Sequence, residues 1–408
     1  MNDANSCALR LLLVSRALTA HLPGGLEQHV EDLAAGLAEA GVQVHLLSAP
    51  IPDPQRRRLA ALGVHHHGIP RARPDRYTVR YLLRVGRHID RLCRSRYFDL
   101  VHAQEFATGL WRPGPKSPPL VLTVHGTITS ETPLHPDAYS MLGPLERSRA
   151  WLRFGRRYIY GPFWRHSLRS ARRILVDSRF TQNELARLAP EVRDRVARVP
   201  LGVRPTEVEP PDRRAARREL GWRGVHLITV GRLEWQKGHR VALEALARLR
   251  DLPWHYTIVG TGSHRNHLKR LIDRLGLRDR VHLAGRVEPR QKERMLAAAD
   301  LFLWPERTHP AFGLVGLEAL LHNTPVVATP RGAIPEILGE RGGWLVERPD
   351  PEAFYRLLRP LLAEPRRLLA ARRDLRHDAL QRLSYQTMIQ ATLAEYERAC
   401  RPDRLPGA

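Results

Sequence analysis

Val225-His226-Leu227-Ile228-Thr229-Val230-Gly231-Arg232-Leu233-Glu234-Trp235-Gln236-Lys237-Gly238 reads as a buried strand, a short polar loop and the start of a helix. Apart from His226, the first six residues are apolar or β-branched without alternation, as a strand covered on both faces of a parallel sheet requires. A loop at the carboxyl end of such a strand is where open α/β sheets bind ligands. Arg232 and Lys237 there would offer a diphosphate one planar fork and one point charge. On an arginine-rich chain both could equally be solvated surface charges. The loop lacks Gly-x4-Gly-Lys-Ser/Thr and so is no Walker motif.

The same alternation extends in both directions. Downstream, the pattern predicts helices over 238–249, 265–275, 291–298 and 314–321 and strands over 255–259, 281–283, 301–304 and 325–328. Upstream, strands are expected over 9–15, 42–47, 100–103, 119–125 and 174–178. A helix carrying Val30, Leu33, Ala34 and Leu37 at helical spacing stops at Gly41. Strand and helix repeating in turn imply parallel sheets with helices on both faces. Residues 204–221, proline-rich and charged, read as the connection between two such domains. The expected boundaries are an N-terminal domain over 1–200, a second domain over 201–380 and a C-terminal helix over 381–408.

A length of 408 residues accommodates two domains that each bury a full core. Hydrophobic residues at 43% and charged residues at 26% are ordinary globular usage, which excludes wholesale disorder. The formal charge is +24, and lysine occurs only at Lys116, Lys237, Lys269 and Lys292, so arginine supplies nearly all of the excess. A surplus of this size attracts phosphates on a nucleotide, a lipid surface or nucleic acid. No recognition motif, zinc spacing or aromatic RNA-binding signature accompanies it, so no specific nucleic-acid partner is expected. Three cysteines at unpaired spacings exclude a disulfide scaffold and a zinc ribbon. With no basic leader and no long apolar run, a cytoplasmic location is expected.

Two further segments carry chemistry. Val259-Gly260-Thr261-Gly262-Ser263 is a strand-to-glycine turn that lacks the third glycine of the dinucleotide fingerprint, which argues against NAD. Gly313 opens a helix whose free N–H groups at Leu314 and Val315 form a ready anion site. Glu318, one turn further, could accept hydrogen bonds from ribose hydroxyls, or simply complement the helix dipole.

Together the segments resemble a retaining glycosyltransferase of the GT-B fold, most similar to glycosyltransferase family 4. The matching pieces follow one another in the family's order. In the first half they are Gly24-Gly25-Leu26-Glu27, Val101-His102-Ala103, Thr123-Val124-His125-Gly126, Val176-Asp177-Ser178-Arg179-Phe180-Thr181 and Val199-Pro200-Leu201-Gly202-Val203. The second half adds Val230–Gly238, Val259–Gly262, Phe312–Ala319 and Pro325-Val326-Val327-Ala328. The resemblance implies two Rossmann-like domains facing across a cleft, acceptor on the first and nucleotide sugar on the second. It implies a diphosphate held by Arg232, Lys237 and the N–H groups of Leu314 and Val315, with Gly260, Gly262 and Gly313 in the donor site and ribose on Glu318. Gly25 would let the first loop approach the donor phosphate, and His125 would contact the donor sugar beside the reacting carbon. Catalytic duty would fall on His125, Arg232 and Lys237. Retention by front-face attack would let the leaving phosphate take the acceptor proton. No metal or other cofactor is expected, since no Asp-x-Asp pair occurs and Arg plus Lys can replace Mg²⁺.

Family members normally carry two glutamates eight positions apart at the donor site. Glu318 is the second, Pro310 stands at the first, and Glu306 lies four residues earlier. Either a bulge brings Glu306 to the donor sugar, or backbone alone holds the sugar, or the chemistry is weakened. The runner-up functions are accordingly a nucleotide-sugar-binding protein and a GT-B sugar-nucleotide epimerase. Arginines interleaved with aromatic residues over 71–97 and 145–173 suggest docking on the anionic inner face of a membrane, and 366–382 repeats that ambiguity. The expected partners are a nucleotide sugar, a glycan or lipid-linked acceptor, and such a surface.

Overall fold

The computed structural model describes residues 8–21, 24–127, 161–204 and 210–401. The chain divides into two compact units. The first comprises the described residues up to Arg204 together with the helix Tyr385–Cys400, and the second runs from there to Ser384.

The first unit is built on seven parallel strands: β1 Arg10–Val14, β2 Gln43–Ser48, β3 Val64–Gly68, β4 Leu100–Gln104, β5 Leu120–Val124, β6 Arg173–Val176 and β7 Val196–Arg198. Their order is β3-β2-β1-β4-β5-β6-β7, so the connection direction reverses between β1 and β4. Leu11, Leu12 and Leu13 of β1 are wholly buried, which is why that strand shows no alternation. The edge strand β3 is Val-His-His-His-Gly, whose composition hides it from a hydrophobic-period search. The three-residue β7 is hidden by its brevity.

The second unit has β8 Val225–Val230, β9 Trp254–Val259, β10 Val281–Gly285, β11 Leu301–Trp304, β12 Val326–Ala328 and β13 Gly343–Leu345, also parallel, in the order β10-β9-β8-β11-β12-β13. Here the reversal falls between β8 and β11. Val225, Leu227, Leu243, Leu246, Tyr256, Leu303 and Phe354 share one core cluster. Within the expected connection 204–221, Arg213–Leu220 is a helix: Asp212 caps it by accepting from the Ala215 N–H at 2.8 Å, and Gly221 ends it in the left-handed region.

The helix Tyr385–Cys400 packs on the first unit through buried Tyr385, Met388, Ile389 and Tyr396. Gly36, in the helix Gly25–Glu39, makes room for it: a Cβ there would sit 2.5 Å from the Tyr385 hydroxyl and 2.6 Å from Ile389 Cδ1. Arg173 pairs with Glu395 at 2.6 Å, and the Tyr385 hydroxyl donates to the Asp32 carbonyl at 2.8 Å.

Several residues expected at a membrane face belong to the interior. Trp164, on a helix over 161–170, is buried, and Phe163 packs against the same core. Trp151, Phe154 and Tyr158 lie outside the described residues, as does most of the loop 126–150. In 366–382 three arginines serve helix ends, Arg372 donating to the Ala297 carbonyl at 3.0 Å, Arg376 to Leu321 at 3.0 Å and Arg382 to Glu336 at 3.1 Å, while Arg366, Arg367 and Arg373 are exposed. The helix Val79–Ser95 differs. Its inner face, Tyr81, Leu82, Val85 and Ile89, is buried, while Arg80, Arg84, Arg87, Arg91 and Arg94 are exposed together with Val79 and Leu83.

Burial is the largest cause that holds five histidines neutral: His45, His66, His226 and His239 are lowered to about 4 and His102 to about 3. Unfolded, each titrates near 6.5. Between these values the unfolded chain binds the additional protons, so stability present above pH 6.5 is lost as the pH falls towards 4. Asp32, pushed up by burial to about 6, and His125, raised by the Asp177 carboxylate, oppose them as two groups against five. The melting temperature is therefore expected to fall continuously from pH 7.5 to 5, with proton uptake on unfolding by calorimetry in buffers of different ionisation enthalpy. A Tm that is flat or rises over that range would contradict the assignment.

Candidate active site

Two loops leave the second sheet at its reversal point. The first, Gly231–Gly238, follows β8 and is fixed from below by backbone bonds: Gly231 N–H to Val259 O and Leu233 N–H to Thr261 O, each 2.9 Å, and His264 N–H to Leu233 O at 2.9 Å. These contacts explain the two glycines of the neighbouring turn. A Cβ on Gly260, at φ +138°, would lie 1.9 Å from the Gly231 carbonyl oxygen, and one on Gly262 would lie 2.4 Å from that of Leu233. Both act by supporting the Arg232 loop closely. Neutral His239, the first residue of the following helix, donates from Nε2 to the Arg232 carbonyl at 3.1 Å. The Arg232 side chain is exposed and has no ion-pair partner among the described residues.

The second loop follows β11 and interlocks with the first. Gly238, at φ +65°, lies so close to Pro305 that a Cβ would be 1.7 Å from the Pro305 carbonyl oxygen. The Arg307 N–H donates to Gln236 O at 2.8 Å, and its guanidinium lies 4.5 Å from the centre of the Trp235 ring. Glu306 is wholly buried: Oε2 accepts from Lys237 Nζ at 2.8 Å, and Oε1 from the Thr308 hydroxyl at 2.8 Å. A bulge that brings Glu306 to the donor sugar was one of the three alternatives at this position. With both oxygens occupied and no exposed surface, Glu306 is instead the counter-ion that fixes Lys237. Pro310 contributes its backbone, accepting from the Ala333 N–H at 2.9 Å.

The helix Leu314–Leu321 begins beside these loops. Trp304 lies against its first turn, where a Cβ on Gly313, at φ +137°, or on Gly316 would fall 2.4 and 2.1 Å from the indole. Leu314 and Val315 occupy the first turn, whose N–H groups a helix leaves free. Glu318 Oε1 accepts from Lys292 Nζ at 2.8 Å, while Oε2 is buried and has no partner among the described residues. That orphan acceptor is a place for a donating hydroxyl. Lys292 escaped sequence reasoning, though scarcity was a signal: of four lysines, two pair with the carboxylates of this region.

In the first unit, His125 directly follows β5. Its Nδ1 lies 2.9 Å from Asp177 Oδ2, beyond β6, and its Nε2 lies 2.6 Å from Gln104 Oε1 at the end of β4. Its backbone N–H donates to Glu105 at 2.9 Å, a residue in the left-handed region at φ +55°. Burial by itself would lower the His125 pKa. The Asp177 carboxylate, with Glu105 and Glu27 behind it, outweighs burial and raises it. His29 stacks edge-on at 5.1 Å and is held neutral by burial. Gly25, expected in a loop, is the exposed first residue of the helix Gly25–Glu39, with Gly24 as its N-cap. Gln104, Glu105 and Asp177 were not singled out as site residues. Their signal was position, at the carboxyl ends of adjacent strands.

Two parallel doubly wound units with basic and helix-terminal groups at the sheet reversal define a GT-B glycosyltransferase. The chain belongs to glycosyltransferase family 4. Residues 23–207 match the family model described as Glycosyltransferase Family 4, and residues 212–382 the one described as Glycosyl transferases group 1. It is 27% identical to an MMP alpha-(1->4)-mannosyltransferase of Mycolicibacterium hassiacum, over 96% of this chain and 98% of that one. It is 35% identical to a GDP-mannose-dependent alpha-(1-6)-phosphatidylinositol monomannoside mannosyltransferase of Mycolicibacterium smegmatis, over 48% of this chain and 54% of that one. The structure of Anabaena HepE in complex with UDP-glucose shares the fold, with a TM-score of 0.70 at 18% identity over 96% of this chain and all of that one.

Removing the Lys237 amine leaves a wholly buried carboxylate without its cation, which costs about 3 kcal/mol. Lys237→Met should therefore lower the denaturation midpoint sharply, and adding Glu306→Leu should restore most of the loss. Equal midpoints for wild type and Lys237→Met in urea titrations would refute the pairing.

Proposed function

We propose that this glycosyltransferase moves a hexose from a nucleoside diphosphate sugar to a glycan or lipid-linked glycan acceptor, with retention, in the assembly of a cell-envelope polysaccharide. The observation that carries this reading is the unpaired Arg232 guanidinium on a rigid loop, beside fixed Lys237 and the first turn of Leu314–Leu321. Breaking the bond between the anomeric carbon and the phosphate leaves an oxocarbenium-like sugar and a growing negative charge on the diphosphate. Preorganised cations and N–H dipoles stabilise that charge without reorganising, usually the largest catalytic contribution. Arg232 binds the diphosphate in a planar fork, Lys237 adds a point charge, and the orphaned Glu318 oxygen accepts a ribose hydroxyl. The departing phosphate oxygen takes the acceptor proton, so no protein base is required, and the two cations take the place of a metal ion. The mannosyltransferase relatives support the hexose.

The partner surface follows from the helix Val79–Ser95. Val79, Leu83, Tyr97 and Leu110 are four of the exposed large hydrophobic residues among the described ones, and Leu110 is tied to this helix by its N–H bond to Leu82 O at 3.2 Å. Apolar tips flanked by five arginines suit insertion at an anionic bilayer surface. No helix among the described residues is long and apolar enough to cross a membrane.

Thermal-shift titration with UDP, GDP, ADP and dTDP and their hexose conjugates tests the donor site. One nucleotide at 100 Kd should stabilise the fold by about 2.7 kcal/mol. Arg232→Ala, which breaks no ion pair, should abolish that response while leaving the unliganded Tm unchanged. No response to any nucleotide would overturn the reading. For the surface, wild type should float with phosphatidylglycerol vesicles at low salt. Leu83→Asp combined with Arg84→Glu and Arg87→Glu should remain in the soluble fraction, and equal flotation of this variant would rule out docking through that helix.

A further inference from the structure

A buried chain of hydrogen bonds leads from His125 to the C-terminal helix. Gln104, whose Oε1 meets His125 Nε2, places its amide nitrogen 3.3 Å from His102 Nε2. His102 Nε2 also meets the Thr123 hydroxyl at 2.6 Å, and His102 Nδ1 meets the Tyr396 hydroxyl at 2.6 Å. Four elements thus contribute to one polar thread, β4, β5, the loop after β6 and the helix Tyr385–Cys400, and the His29 ring of the helix Gly25–Glu39 packs edge-on against His125.

The proton positions along it follow from which atoms can donate. Asp177 has no other hydrogen-bond partner among the described residues, its Oδ1 being buried and unpaired. As a carboxylate it only accepts, so His125 Nδ1 carries a proton. Gln104 Oε1 also only accepts, so His125 Nε2 carries one as well. The Gln104 amide nitrogen only donates, so His102 Nε2 must be an acceptor. His102 is held neutral by burial, so its single proton lies on Nδ1 and points at the Tyr396 oxygen.

We propose that Tyr396 is a positioning residue that acts from the C-terminal helix through His102 and Gln104 to hold His125 doubly protonated, as a fixed cation and hydrogen-bond donor rather than a base. Without the Tyr396 hydroxyl, the His102 Nδ1–H has no acceptor in the core. His102 regains a partner only as the Nε2–H tautomer, which donates to the Thr123 hydroxyl and turns the Gln104 amide. The turned amide presents N–H to His125 Nε2, which must then lose its proton. The groups facing the His125 ring agree in direction. Asp177, Glu105 and Glu27 favour the cation, and neutral His29 and His102 add no permanent charge against it. That this cation then serves the departing sugar phosphate rests on the proposed function; the proton arrangement does not.

The test is nitrogen-15 NMR of the full chain labelled at histidine, with His125 assigned by its loss in His125→Asn. In the wild type at pH 7, both His125 nitrogens should show imidazolium shifts. Tyr396→Phe keeps the ring and removes only the hydroxyl. It should lower the His125 pKa by about one unit. Gln104→Glu supplies an acceptor that cannot turn, so the double variant Tyr396→Phe with Gln104→Glu should return the pKa to or above the wild-type value. A neutral His125 in the wild type, or a pKa unmoved or raised in Tyr396→Phe, would overturn the proposal. The readout is the charge of one ring, so it stands or falls independently of whether any sugar is transferred.

Discussion

The buried ion pair between Lys237 and Glu306 is the contact on which the second unit's site depends. It joins the two loops that leave β8 and β11, the neighbouring strands between which the sheet reverses direction. A carboxylate buried as completely as that of Glu306 is costly unless its bonding is complete, and here the Thr308 hydroxyl satisfies the oxygen that Lys237 does not. The pair leaves Lys237 with a fixed position and 28% of its side chain exposed, so the amine retains a face for an anion while the carboxylate has none. Arg232 is the opposite case, an exposed guanidinium on a loop whose backbone is tied at both ends. One cation is held by its counter-ion, and the other is carried free on a backbone that is itself tied down.

Close backbone approach makes this possible. Gly238 against Pro305, Gly260 against Gly231 and Gly262 against Leu233 each bring two chains nearer than any Cβ would permit. The same device recurs on the helix that offers its N-terminus, where Gly313 and Gly316 make room for the six-membered ring of Trp304. These glycines do their work beneath the site, by holding the groups that face a ligand within short reach of one another. Preorganisation of this kind is what electrostatic catalysis requires, because dipoles already in place need not be turned during the reaction.

The first unit has a different economy. Its polar thread from Asp177 to Tyr396 lies in the interior, where an unpaired group is expensive and neighbouring donors and acceptors constrain one another. The C-terminal helix therefore does more than cover apolar surface. It supplies Tyr396 as the last oxygen of a chain that ends at His125, while Glu395 beside it anchors Arg173.

Local pattern made much of this legible. Continuous apolar strands such as Leu11–Val14 and Val225–Val230, each followed by a glycine break and an amphipathic helix, determine two parallel α/β units, because only strands buried on both faces lack alternation. The position of Arg232, Lys237, Gly313 and Glu318 after strand ends was likewise readable, since ligands gather at carboxyl ends. The histidine-rich β3 was not, because it carries no clear hydrophobic period, nor was the helix Arg213–Leu220, because its flanking prolines and dense arginines read as a connection. Nor could spacing along the chain say whether Glu306 points at a sugar or at Lys237, 69 positions away, or that Tyr396 reaches His102 across 294. Sequence by itself determined the layers, the two-unit plan and the residue types at the strand ends. Only the tertiary structure decided which charges are paired and which remain free, because pairing depends on distances of about 3 Å between residues whose separation in sequence carries no information about separation in space.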